Sequence, residues 1–359
     1  MTRRHAGMAS RRPLLLALVL LVLFPPLSGC STITPWPGAM LIRMVFDREG
    51  EKTARALEKH VPPHVADLPD QHYDPSSRDA WLDVFRPEDI AGTSARRPLV
   101  VWIHGGAWVS GSRKQVANYA RVLAGRGYVV AAIDYSRAPG SRYPVPVRQA
   151  NTALGWLAAN AERLNIDTAR IVLAGDSAGA QMTAQLANAI SEPSYAAALG
   201  ITPAVARAQL AGVLLYCGSY DLRDTGMDKR YAGFVRTVLW SYSGTRHFMR
   251  DAEFATASVL HYVGDSFPPA FITVGNDDPL VPQSRALADT LTGKGVPVDT
   301  LFFPDDHEPR LPHEYQFNLD SEAGRLALSR ALDFLARHAG AVPAAAPGGS
   351  VRAAGGGEG

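Results

Sequence analysis

Short apolar runs alternate with amphipathic stretches over most of the chain. From about residue 66 a strand rhythm begins: Trp81 to Phe85 alternates apolar and polar positions. Largely apolar runs follow at Leu99–Ile103, Tyr128–Ile133, Arg170–Ala174, Ala211–Tyr216, Ala270–Val274 and Val298–Phe303. A run that is apolar at every position has both faces covered, as central parallel strands do. Between these runs the period changes to that of a helix. Val116, Ala120 and Leu123 share a face that ends at Gly125; Val147, Ala150, Leu154, Leu157 and Ala161 form a second stripe; Leu328, Leu332 and Leu335 form a third, after a cap at Ser321. The alternation predicts an α/β fold, with a mostly parallel central sheet and helices on both faces.

Two stretches interrupt that rhythm. Residues 187 to 209 are expected to prolong the helix after residue 177. Residues 219 to 266 carry Tyr220, Tyr231, Phe234, Trp240, Tyr242, Phe248 and Phe254 among polar residues, an excursion that packs as a satellite core or forms a small cap or lid over the carboxyl edge of the sheet. With 47% hydrophobic and 19% charged residues, the chain has material for one large core, and residues 66–338 are read as a single domain with the cap inserted at about 219–266. Residues 339–359, rich in Gly, Ala and Pro, are expected to be a disordered tail.

The amino-terminal region changes the picture of charge and location. Arg3, Arg4, Arg11 and Arg12 precede the apolar run Leu14 to Phe24, which is short for a bilayer span and has the form of a signal peptide over residues 1–29. Leu27-Ser28-Gly29-Cys30 resembles a bacterial lipobox, which implies cleavage before Cys30, its lipidation, and a periplasm-facing lipoprotein, with Ser31 compatible with the outer membrane. Residues 30–65 are then a tether with a short helical pattern near Leu41 to His60. Removing four arginines takes the formal charge from +2 to −2, so no basic footprint for nucleic acid remains. Cys217, in an apolar strand, has no partner once Cys30 is acylated.

Candidate chemistry centres on Gly175-Asp176-Ser177-Ala178-Gly179, where an apolar run breaks into G-x-S-x-G and a helix-compatible segment follows. At such a strand-to-helix elbow the serine is pushed out of the sheet, and the small flanking residues permit the sharp bend. The spacing alone is common by chance, so its partners matter. A serine nucleophile needs a histidine base, a carboxylate to orient it and donors for the developing oxyanion. Directly after one apolar run stands His104-Gly105-Gly106-Ala107-Trp108, whose flexible backbone lets successive N–H groups converge on one point. After another comes Gly275-Asn276-Asp277-Asp278-Pro279-Leu280, a carboxylate-bearing loop past a strand end.

On these motifs the chain resembles an α/β-hydrolase-fold esterase of the hormone-sensitive-lipase-like branch over residues 66 to 338. His104–Trp108 match the HGG-x-W oxyanion motif, Asp134-Tyr135-Ser-Arg-Ala138-Pro139 resembles the D-Y-x-x-A-P segment, and Asp278 fits G-x-x-D-P-L. The resemblance implies an oxyanion hole of the Gly106, Ala107 and Ala178 N–H groups, with Ala107 in place of a frequent glycine, and Asp278 rather than Asp277 as the acid. Two histidines lie beyond the last strand. His307 has the better distance from the strand end but sits among Asp305, Asp306 and Glu308, where its charged form is favoured, whereas His313 has the register before the terminal helix. The reading favours His313, giving the order Ser177, Asp278, His313.

The function expected is hydrolysis of small carboxylic esters through an acyl-enzyme, without cofactor or metal; His60, His64 and His72 lack the spacing and companions of a ligand set. Amide hydrolysis of the arylformamidase or peptidase type, and an inactive hydrolase fold serving as an envelope protein, are the alternatives.

Overall fold

The computed structural model describes residues 33–346 except 226 and 228. The strands are β1 (Val65–His72), β2 (Trp81–Pro87), β3 (Arg97–Ile103), β4 (Val129–Ile133), β5 (Ile166–Asp176), β6 (Leu210–Tyr216), β7 (Ala270–Val274) and β8 (Val298–Phe302). Among the described residues they form one eight-stranded sheet in the order β1-β2-β4-β3-β5-β6-β7-β8. β2 runs antiparallel to β1 and β4, and every later pairing is parallel. Leu99, Val101 and Ile103 point into one core and Val100 and Trp102 into the other, which is why the central runs read as apolar at every position.

The longer helices are α1 (Trp36–Leu57), α2 (Arg113–Ala124), α3 (Val145–Ala159), α4 (Ala178–Ser191), α5 (Pro193–Leu199), α6 (Ala232–Ser243), α7 (Val281–Gly293) and α8 (Glu322–His338). The Ser321 hydroxyl accepts from the Gly324 N–H, capping α8. The expected prolongation through residues 187 to 209 is corrected: α4 stops at Ser191, Pro193 opens the separate α5, and Gly200 ends that helix at φ 59°. Proline has no N–H to continue the ladder, and glycine adopts the left-handed cap without strain.

The lead-in differs most from its expected role as a tether. α1 is a 22-residue helix laid on the body, with Ala39, Ile42 and Leu57 buried. Arg43 fastens it: Nε donates to the Val109 carbonyl at 2.5 Å and Nη2 to the Ala138 carbonyl at 2.8 Å. The aromatic excursion at 219–266 extends the main core, where Tyr242 stacks on Trp108 at 4.8 Å, and α6 supports α1 through Phe234, 5.8 Å from Phe46. Of the expected tail, residues 340–346 run along the body, with the Ala345 N–H donating to the Gly125 carbonyl at 3.0 Å; residues 347–359 lie outside the described residues, as do the expected signal peptide and Cys30.

Candidate active site

The carboxyl ends of the parallel strands converge on one edge of the sheet. β3 leads into His104, β4 into Asp134, β5 into Ser177, β6 into Cys217, β7 into the Asp278 loop and β8 into the segment bearing His313. This is where open α/β sheets place their sites, because the loops there are free to vary while the strands hold them.

Ser177 stands between β5 and α4 at φ 51°, ψ −119°, a conformation that a residue with a side chain adopts only under constraint. The surroundings supply that constraint. The Ser177 N–H donates to the Tyr216 carbonyl at 2.8 Å. A Cβ on Gly179 would lie 2.0 Å from the Ile103 carbonyl oxygen, so only glycine lets α4 approach β3 this closely.

His313 joins the serine to the acid. Its Nε2 lies 3.0 Å from Ser177 Oγ and its Nδ1 lies 2.7 Å from Asp278 Oδ2. Asp278 is fully buried and its other oxygen accepts the Leu280 N–H at 2.8 Å. The loop after β8 is clamped to the acid loop, since the Asp277 N–H donates to the Leu311 carbonyl at 3.0 Å and the Leu311 N–H to Asn276 Oδ1 at 2.9 Å. Those bonds bring the histidine two residues past Leu311 beside Asp278. His307 instead lies against Phe303, with ring centroids 4.7 Å apart. Burial pulls the His313 pKa down, but the facing Asp278 carboxylate outweighs it and the net shift is well upward.

The loop after β3 is held in left-handed backbone at Gly106 (φ 110°), Ala107 (φ 51°) and Trp108 (φ 58°). Among the described residues no hydrogen bond occupies the N–H of Gly106, Ala107 or Ala178, whereas the Gly105 N–H donates to Asp176 Oδ2 at 2.8 Å. Asp176 also accepts Trp102 Nε1 at 2.7 Å. Burial and the nearby Glu314 push its pKa well above the usual carboxylate range. His104 stacks on Tyr135, whose hydroxyl donates to the His104 carbonyl at 3.0 Å; burial lowers the imidazole's pKa and keeps it neutral. Asp134 accepts the Arg113 N–H at 2.7 Å, and the Arg113 guanidinium bonds Asp134, Asp83 and Asp70 together.

A cavity of about 460 Å³ opens onto Ser177 and His313. Its far wall is α1, through Val45, Phe46, Glu49, Gly50 and Thr53, and no residue of 219–266 lines it. The covering role expected of the excursion is therefore taken by the amino-terminal helix. Glu314, next to His313 at φ 59°, also faces this cavity. Neither Glu314 nor α1 had a motif to mark it in the sequence.

Among the described residues, the one cluster with metal-ligand proximity is Cys217, Asp278 and His313, with ligand atoms within 4.8 Å of one another. Two of the three already belong to the hydrogen-bonded chain. The Cys217 thiol is buried and its pKa is pushed up to about 11, away from the thiolate a metal needs. His60 and His64 face Asp320 and Glu88 separately, while His72 stacks on Trp81.

A family model described as alpha/beta hydrolase fold matches residues 100–308, which include Ser177 and Asp278 and end just short of His313. The chain belongs to the α/β-hydrolase fold family. Within that family it is similar to the esterase LipQ of Mycobacterium tuberculosis, 30% identical over 267 residues that make up 70% of this chain and 62% of that one. It is also similar to the carboxylesterase NlhH of the same organism, 31% identical over 246 residues, 67% of this chain and 73% of the relative. The chain spans only 62% and 50% of the lengths of LipQ and the esterase LipC. Among solved structures, the α/β-hydrolase fold is shared with Esterase B from Lactobacillus rhamnosis (TM-score 0.70, 21% identity, 84% of this chain and 96% of that one). An esterase from Pyrobaculum calidifontis is likewise similar (TM-score 0.68, 23% identity, 90% and 98% covered).

Proposed function

We propose that this α/β hydrolase is a serine carboxylic-ester hydrolase acting on small or short-chain acyl esters. One observation carries the reading: the hydrogen-bonded chain Ser177–His313–Asp278 ends beside three N–H groups that have no acceptor among the described residues. Ser177 Oγ attacks the ester carbonyl carbon while His313 Nε2 takes its proton. Asp278 holds Nδ1–H and offsets the imidazolium charge. The carbonyl oxygen, now negative, accepts from the N–H groups of Gly106, Ala107 and Ala178. Collapse breaks the bond to the alkoxy oxygen, which receives the proton from Nε2 and leaves as the alcohol. A water molecule repeats the sequence on the acyl-enzyme, giving the acid and free Ser177. No cofactor enters these steps.

The names of the relatives, esterases and carboxylesterases, support the same reaction class. A p-nitrophenyl alkylphosphonate tests the assignment. Inactivation should be stoichiometric and the mass increment should map to Ser177; inactivation with the label elsewhere would refute it.

For location, the proposal is a cell-envelope lipoprotein, probing the periplasm from an acyl anchor on Cys30 and supported by Leu27-Ser28-Gly29-Cys30. Membrane-fraction protein should become soluble in Cys30→Ser. Wild-type protein found soluble, with its amino terminus elsewhere, would remove that part of the reading.

A further inference from the structure

Apart from His313 and the neutral His104, the ionisable side chains in the cavity wall are carboxylates. Glu314 and Glu49 face it from opposite parts of the chain, and no lysine or arginine is among its lining residues. Glu314 Oε1 lies 3.8 Å from His313 Nε2, beyond hydrogen-bonding distance, so it does not displace Ser177 Oγ from that nitrogen. It does sit beside the atom that hands the proton to the leaving alcohol. Glu49 has an exposed contact with Lys52 at 3.4 Å, a pair of the kind that water readily competes with. Arg137, behind the loop, donates to the Gly111 carbonyl at 2.8 Å. The third carboxyl, Asp176, is buried and spends both oxygens on Trp102 and Gly105.

Most of the remaining surface of the lining is apolar, with Phe46 and Phe317 set among Thr53, Ser110 and Gln115. Phe46 comes from the same turn region of α1 as Glu49, and Phe317 follows Glu314 by three residues. Two carboxylates in a cavity that also presents two aromatic rings suit an alkylated ammonium group better than a hydrated metal ion, because the methyl groups can pack on the rings while the charge pairs with the acids. Glu314 also occupies left-handed backbone at φ 59°, ψ 28°, where glycine would fit without cost, so the carboxylate is held at this spot in an unfavourable conformation.

We propose that Glu314, with Glu49, determines specificity for esters whose alcohol carries an alkylammonium group. This rests on the ester-hydrolase reading above and names the substrate class of the same site. The test compares butyrylcholine with 3,3-dimethylbutyl butyrate, its neutral isostere, by pH-stat on the mature chain. The ratio of their kcat/KM values cancels effects on folding, Ser177 and His313.

Wild-type protein at low ionic strength should favour the choline ester by about tenfold, as two partly screened carboxylates would give. The ratio should fall about fivefold in Glu314→Gln and approach one in the double variant with Glu49→Gln. Raising the salt to about half-molar should lower the wild-type ratio without any mutation, which keeps the test available if a variant folds poorly. A wild-type ratio of one or less, or a ratio unmoved by salt and by Glu314→Gln, overturns the proposal while leaving the hydrolase reading intact. Failure of both esters and of p-nitrophenyl butyrate overturns the two together.

Discussion

Ser177, His313 and Asp278, which the structure joins by hydrogen bonds, lie 136 and 35 residues apart along the chain, yet each was singled out in the sequence for a local reason. The serine and the acid sit directly after apolar runs, in turns whose small residues mark them. The histidine was harder, because two spacings pointed to different residues: the register before the terminal helix favoured His313, and the hydrogen bonds between the loops after β7 and β8 that bring it beside Asp278 carry no sequence mark. Asp176, Arg113 and Glu314 act through partners from distant segments and carried no local signature beyond a motif position. On the proposed mechanism the pH dependence follows from His313: only the neutral imidazole accepts the serine proton, so activity should be lost as pH falls through its pKa. Desolvation lowers that pKa, but the Asp278 charge raises it further, placing the loss at higher pH than for an ordinary histidine. Asp278→Asn removes the raising charge. It should move the acid limb of the kcat/KM profile to lower pH and cut kcat by about three to four orders of magnitude. A limb that stays in place would show that another group sets it.

Among the elements, β3 to β8 and α2, α3 and α8 were readable because their buried faces are wide and their periods clear. α1 was not. Its buried contact is a narrow strip around Ala39 and Ile42, and most of its surface is polar or half-exposed, so it reads as a solvated connector. What fixes it is Arg43, reaching two carbonyls on loops that themselves border the site. Arg43→Met keeps the stem's packing and leaves both carbonyls without their donor. It should lower unfolding stability by about 1–3 kcal/mol. Because α1 forms the far wall of the cavity, KM for a small ester should also rise more than kcat falls. Denaturant unfolding and steady-state kinetics check the two parts, and an unchanged KM would mean that the wall does not depend on this anchor.

At the scale of the whole molecule, the alternation of strand and helix periods already specified an α/β sheet with its chemistry at the carboxyl edge. The wall opposite that edge comes from α1 and not from residues 219–266, because cover is a property of packing between segments distant in sequence. Its consequence is a cavity of about 460 Å³, within the range of small-molecule clefts. Acyl chains of about two to eight carbons should be preferred. A p-nitrophenyl ester series from acetate to palmitate should show kcat/KM falling steeply at the long end, and equal or greater values on palmitate would contradict this. The central claim is tested most directly by Ser177→Ala. With thermal unfolding unchanged, kcat/KM on p-nitrophenyl butyrate should fall by about three to six orders of magnitude; a folded variant that stays within about tenfold of wild type would contradict the account.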